Sequence, residues 1–141
     1  MSEYAEPRSA LVGRDGGRPV VAGYDGSPAS KHALAYAAGL ARRGDHWLVV
    51  VHVSRLGGMT PVSLTLATLD WLYAELAEVD LSGLDVEIIW RTGDPAGEIL
   101  KLTRERHADA IVIGASRRPR NVKSLPTRLA RHALCPAVVV P

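Results

Sequence analysis

Four cations, Arg117, Arg118, Arg120 and Lys123, stand without an intervening acid in the stretch Gly114-Ala115-Ser116-Arg117-Arg118-Pro119-Arg120-Asn121-Val122-Lys123-Ser124. The stretch leaves an apolar run, Ala110-Ile111-Val112-Ile113, through a glycine. A glycine-led loop after a buried strand is a place where backbone N–H groups can gather round a phosphate, and guanidinium or ammonium groups can hold one through their side chains. The same charges can equally form a solvated surface loop. A second short stretch, Asp25-Gly26-Ser27-Pro28, also follows an apolar run. Asp25 can accept hydrogen bonds from a ribose or a base, or serve the local turn. Ser27 reads first as the cap of a helix that Pro28 opens, although a helix N-terminus can also meet an anion.

The remaining reactive side chains point less strongly to chemistry. His52, with Ser27 and Asp25, has the residue types of a hydrolytic triad, but no G-x-S-x-G elbow is present and Ser116 lacks that context. A packed, hydrogen-bonded histidine is the better reading. Cys135, before Pro136, is the single cysteine and reads as a small apolar side chain rather than a reactive thiol. The five histidines lack the paired spacings of a zinc site, so no metal is expected.

The elements that must position these residues follow a regular alternation. Pro19 to Tyr24, Trp47 to Val53 and Ala108 to Ile113 are apolar runs without polar alternation, as in strands covered on both faces. Between Leu84 and Arg91, Val86, Ile88 and Trp90 alternate with Glu87, Ile89 and Arg91, which predicts a less fully buried strand at a sheet edge. A fifth strand is Ala137 to Val140. Helices are predicted from Ser27-Pro28 to Arg43-Gly44, from Thr60-Pro61 through Leu69, Leu72, Leu76 and Val79, from Asp94-Pro95 toward His107, and from about Ser124 to Leu134. Five strands alternating with four helices imply a single-domain, Rossmann-like parallel α/β sheet with helices on both faces. In such sheets ligands sit beyond the carboxyl ends of the strands, where strand order reverses. Asp25, Val53, Gly93 and Gly114 all lie at carboxyl ends.

Composition narrows the partners. The chain has 141 residues, enough for one domain with its own core, and phenylalanine is absent, so Val, Ile, Leu and Ala must fill that core. A formal charge of +2 is too small to announce a nucleic-acid or membrane partner. The opening residues have no basic start followed by an apolar h-region. With one cysteine, this argues for a cytoplasmic protein. Residues 1–18 read as a flexible N-terminal arm, and residues 19–141 as the domain.

Taken together, Val20 to Pro28 followed by an alanine-rich helix, Gly93-Asp94-Pro95-Ala96, Ala108 to Gly114, and Arg131 to Val140 resemble the universal stress protein family over roughly residues 19–140. The resemblance implies a five-stranded sheet in order 3-2-1-4-5, a homodimer and no settled enzymatic reaction. Some members of that family bind ATP with the acid ending the first strand, the end of the second strand, and a loop of pattern G-x-x-G, a longer interval, then G-S or G-T. The matching positions are Asp25, with Gly26 and Ser27 after it, then Val53, Gly114 and Ser124. The chain departs at the other two glycines: Arg117 and Lys123 stand there, and only five residues, Arg118 to Val122, separate them. Glycine there permits positive φ and close backbone approach to an anion, so a triphosphate cradle of the family type is disfavoured.

The expectation is therefore a cytoplasmic universal stress protein acting in stress response by binding rather than catalysis. ATP binding should be weak or absent because the loop is degenerate. The alternative is a functional ATP, AMP or other anionic-ligand site built from Asp25, Gly26, Ser27, Val53, Gly114, Ser116, Arg117, Arg118, Lys123 and Ser124. An adenylating enzyme of the PP-loop kind is a remoter alternative, since Asp25-Gly26-Ser27-Pro28 stands where such enzymes carry a Ser-Gly-Gly-x-Asp-Ser type loop. An unidentified protein partner or anionic small molecule remains open. In the implied strand order the last strand is an edge without Lys or internal Pro, so Val138, Val139 and Val140 are the expected homodimer seam.

Overall fold

Strand β1, Val20–Gly23, is buried almost throughout, and helix α1, Pro28–Gly44, follows it after a tight turn. The succession continues with β2 (Leu48–Ser54), α2 (Val62–Leu76), β3 (Val86–Thr92), α3 (Pro95–Arg106), β4 (Ala110–Gly114), α4 (Leu125–His132) and β5 (Ala137–Val140). The computed structural model describes residues 17–55, 62–115 and 124–141, the side chains of 62–65 excepted. The strands form one sheet in order β3-β2-β1-β4-β5, and every pairing is parallel. The expected architecture is therefore the observed one, with strand order reversing between β1 and β4.

Alternation along each strand divides the core between two faces. Val20, Ala22, Leu48, Val50 and Val112 meet Ala33, Leu34, Ala37 and Ala41 of α1 and Leu72 and Leu76 of α2. Val21, Val49, Val51, Ile111 and Ile113 face the other way, onto Ile99, Leu100 and Leu102 of α3 and Leu129 of α4. Alanine dominates the buried face of α1, which lets that helix approach the sheet closely without aromatic side chains.

The strand ends move by one or two residues from the sequence expectation because ladder partners decide them. The Leu48 amide donates to the Asp85 carbonyl at 2.9 Å, so β3 enters the sheet at Val86 rather than Leu84. Helix α1 closes on Asp45 (φ 54°), which takes the left-handed conformation one residue beyond Gly44, and α3 closes likewise on His107 (φ 52°). Pro126 lies in the first turn of α4, where proline's missing N–H costs no helical bond.

Edge strand β3 carries its charges inward. Arg106 of α3 donates to both carboxylate oxygens of Glu87, at 3.0 and 2.6 Å, and Arg91 donates to Glu105 at 2.9 Å. These pairs fill the face that alternation marked as less buried. At the opposite, N-terminal ends of the strands, the Gly17 carbonyl accepts from Trp47 Nε1 at 3.1 Å and the Arg18 carbonyl bonds His46 Nδ1 at 2.7 Å. The expected arm otherwise lies outside the described residues.

Candidate functional site

Beyond β1 the Tyr24 amide still pairs with the Val51 carbonyl, at 2.9 Å, and the chain then turns through Asp25 and Gly26 (φ +85°) into α1. Asp25 Oδ1 accepts from the Ser27 amide at 2.9 Å, closing a local Asx turn. Ser27 Oγ accepts from the Ser30 amide at 3.1 Å, and the Ser30 hydroxyl donates to the Ser27 carbonyl at 2.9 Å. Ser27 is thus the helix cap its place before Pro28 predicted. Partial desolvation pushes the Asp25 carboxyl up, but hydrogen bonds from Ser27 and Ser30 and the proximity of His52 outweigh it and hold the group below the usual carboxylate range. At neutral pH Asp25 is a carboxylate engaged by the turn that follows it.

Gly114 forms the facing wall, at the end of β4. A Cβ on it would lie 2.5 Å from the Ala29 carbonyl carbon and 2.6 Å from the Ser30 amide nitrogen, both backbone atoms of the first turn of α1. Its φ is outside the left-handed region, so the close approach of strand and helix, not backbone conformation, excludes a side chain here. Ser116, Arg117, Arg118 and Lys123 lie outside the described residues. The chain is described again from Ser124, which caps α4: its Oγ accepts from the Thr127 amide at 3.3 Å and pairs with the Thr127 hydroxyl at 2.8 Å.

One turn into α4, Arg128 reaches across to Asp94, the cap of α3. Nη1 donates to Oδ1 at 2.7 Å and Nη2 to Oδ2 at 2.6 Å, a two-pronged pair, while Asp94 Oδ2 also accepts from the Gly97 amide at 3.0 Å. The Arg128 hydrogen bonds hold the Asp94 carboxyl below the usual carboxylate range against a small desolvation penalty. Residues 94 and 128 belong to different helices, and neither was singled out from the sequence as half of a pair.

His52 is packed and hydrogen-bonded, as expected. Its Nδ1 lies 2.9 Å from the Tyr24 carbonyl oxygen, which only accepts, so Nδ1 carries the proton. Its ring meets Trp71 edge-on at 5.2 Å between centroids. The Tyr24 hydroxyl donates to Glu75 Oε1 at 2.7 Å, and burial, reinforced by that carboxylate, raises its pKa well above the usual phenolic range. Among the described residues no hydrogen bond joins Ser27 to His52, so the residue types of a triad are present without its geometry. Burial likewise pushes the Cys135 thiol up, the opposite of what a reactive thiolate requires.

Tyr24, Asp25, Ser27, His52, Gly114 and the Asp94–Arg128 pair border a cleft of ≈ 970 Å³ above the carboxyl ends of β1, β2 and β4. Asp25, Ser27, Val53 and Gly114 of the expected set line it, together with Arg55, Asp94 and Arg128; Gly26 and Ser124 do not. The cleft lies at the reversal of strand order, where doubly wound sheets hold their ligands. Its described lining offers an apolar floor of Val51, Val53, Ile99 and Ile113 and polar groups at the rim, suited to a planar ligand with a polar end.

A family model described as the universal stress protein family matches residues 17–141. No curated protein matches the chain significantly. Among solved structures, a universal stress protein from Archaeoglobus fulgidus in complex with dAMP is 24% identical, with a TM-score of 0.71 over 88% of this chain and 98% of that one. A universal stress protein in complex with cAMP is 23% identical, with a TM-score of 0.73 over 88% and 97%. A family protein from Burkholderia pseudomallei is 28% identical, with a TM-score of 0.63 over 87% and 95%.

Proposed function

Since the chain belongs to the universal stress protein family, we propose that it is a stress-response regulatory protein that works by binding an adenine mononucleotide and catalyses no reaction. The observation that carries this reading is the cleft at the strand-order reversal, with the Asp25 carboxylate at its rim and an apolar floor behind it. The exposed Asp25 carboxylate can accept from a ribose or base, and Val53 offers backbone at the end of β2. The complexes of structural relatives with dAMP and cAMP support a mononucleotide as the ligand class.

ATP is held weakly or not at all in this reading. Arg117 and Lys123 replace glycines where the family's loop would bring backbone N–H groups to the outer phosphates. The glycine that is retained, Gly114, already has a structural duty against α1. Absence of catalysis is supported by the local engagement of Ser27 and of His52 Nδ1.

A homodimer through β5 belongs to the same reading. Val139 is 43% exposed and Leu134 84% exposed beside an edge strand whose outer N–H and C=O groups have no ladder partner among the described residues. A cytoplasmic setting is supported by the single cysteine.

Calorimetric titration tests the ligand. AMP should saturate the protein at micromolar concentrations, and Mg-ATP should bind at least about tenfold more weakly. Equal or tighter binding of Mg-ATP overturns the proposal, as does the absence of any heat with AMP.

A further inference from the structure

The Asp94–Arg128 pair sits on the wall of the cleft, and both partners line it. Asp94 is fixed: it caps α3 through the Gly97 amide, and Pro95 behind it starts the helix. Arg128 is the long, adjustable partner, carried by the first turns of α4. Both side chains remain partly open to solvent, so a ligand in the cleft has access to them.

A carboxylate held end-on by two guanidinium N–H groups occupies the same fork that a phosphate would take. While Asp94 holds that fork, the pair carries no net charge of its own. It offers an incoming phosphate a cation already satisfied and an anion close by. Arg55, the other described arginine of the lining, lies just beyond β2 and acts on Asp94 through its charge, whereas Arg128 is the described arginine that hydrogen-bonds the carboxylate directly.

We propose that Arg128 is the phosphate-selecting residue of this cleft and that Asp94 is its built-in competitor, releasing the guanidinium only to a phosphate that can displace the carboxylate. This rests on the mononucleotide reading of the cleft for its choice of ligand. The tether is weak enough to yield, because water screens a partly exposed ion pair and leaves it little net strength. It is also strong enough to matter, because two anions near one guanidinium repel. Affinity for the phosphate end of a ligand is then set by residue 94, while affinity for the base and ribose is not.

The experiment compares AMP with unphosphorylated adenosine by calorimetry on the full chain and on Asp94→Asn, Arg128→Gln and the double variant. Asparagine remains a competent helix cap, so Asp94→Asn retains the start of α3, and a single cooperative thermal transition verifies folding. Asp94→Asn should bind AMP about tenfold more tightly than the wild type, the increment of one charge-assisted hydrogen bond made available. Adenosine affinity should stay within about twofold. Arg128→Gln should erase the gain in the double variant. A structural role for the pair would move AMP and adenosine together, and that result overturns the proposal. So does an AMP affinity unchanged or lowered by Asp94→Asn, or a failure of both proteins to bind AMP. If the wild type binds no AMP but Asp94→Asn does, the tether stands and the mononucleotide reading of the native cleft falls.

Discussion

Replacing Gly114 with alanine separates two reasons for a glycine at the end of β4. If Gly114 serves only an anion-binding loop, the added methyl group changes ligand binding and leaves stability almost untouched. The geometry says otherwise. A Cβ would lie 2.5 Å from the Ala29 carbonyl carbon and 2.6 Å from the Ser30 amide nitrogen. Relaxed carbon–carbon contacts lie at about 3.5–4.0 Å, so strand and helix must separate by roughly 1 Å. The opposing atoms are backbone on both sides, with no rotamer to turn away. Overpacking of this kind costs about 1–3 kcal/mol, and rigid neighbours put Gly114→Ala near the upper end. For a domain of this size that is a fall in Tm of roughly 10 °C, or a urea midpoint lower by about 1–2 M. Gly83→Ala is the control. Gly83 has φ +77° and nothing within 4 Å of its added Cβ, so it suffers only the conformational strain of about 1 kcal/mol. Urea unfolding of both variants decides: if Gly114→Ala is no less stable than Gly83→Ala, the close-packing argument is wrong.

Two other outcomes follow from the described geometry. Val139→Asp places a charge at the centre of the proposed β5 seam, so sedimentation at micromolar concentration should show a dimeric wild type and a monomeric variant; a wild-type monomer, or a variant still fully dimeric, refutes that interface. Asp94 has a folded-state pKa below its unfolded value, held there by Arg128, so the contribution of the pair is present above the unfolded pKa near 4 and is lost as pH falls through the lower folded value. Asp94→Asn should therefore have a flatter Tm-against-pH curve below about pH 4 than the wild type, and parallel curves would show that the pair does not contribute.

Local signals carried well into the structure where a single turn of chain decides the outcome. Ser27-Pro28 and Asp94-Pro95 start helices as read, because cap and first turn are adjacent in sequence. The buried strands were legible from unbroken apolar runs. Helix ends were less so: Asp45 and His107 adopt left-handed conformations that their residue types permit without demanding. The inward-facing charges of β3 were visible as an alternation, but their partners Glu105 and Arg106 are on α3, and only the packing of that helix brings them within reach. Asp94 and Arg128 are 34 residues apart and meet for the same reason. Gly114 was recognisable as special from its loop context, yet the distance to Ala29 that requires glycine is set by two backbones, and no local pattern encodes it.

The two edges of the sheet differ in what they can recruit. Strand β5 ends the sheet with a partly exposed apolar row, whereas β3 turns Glu87 and Arg91 toward α3 and locks them there with partners. Inward-pointing charge is one of the devices by which an edge strand resists joining another sheet. A molecule with one receptive edge has a valence of one: it can find a single mate through its sheet, and neither copy then offers a further end for growth. With β5 as the proposed seam, polymerisation by strand addition, the standing hazard of an open parallel sheet, would end at the first pairing.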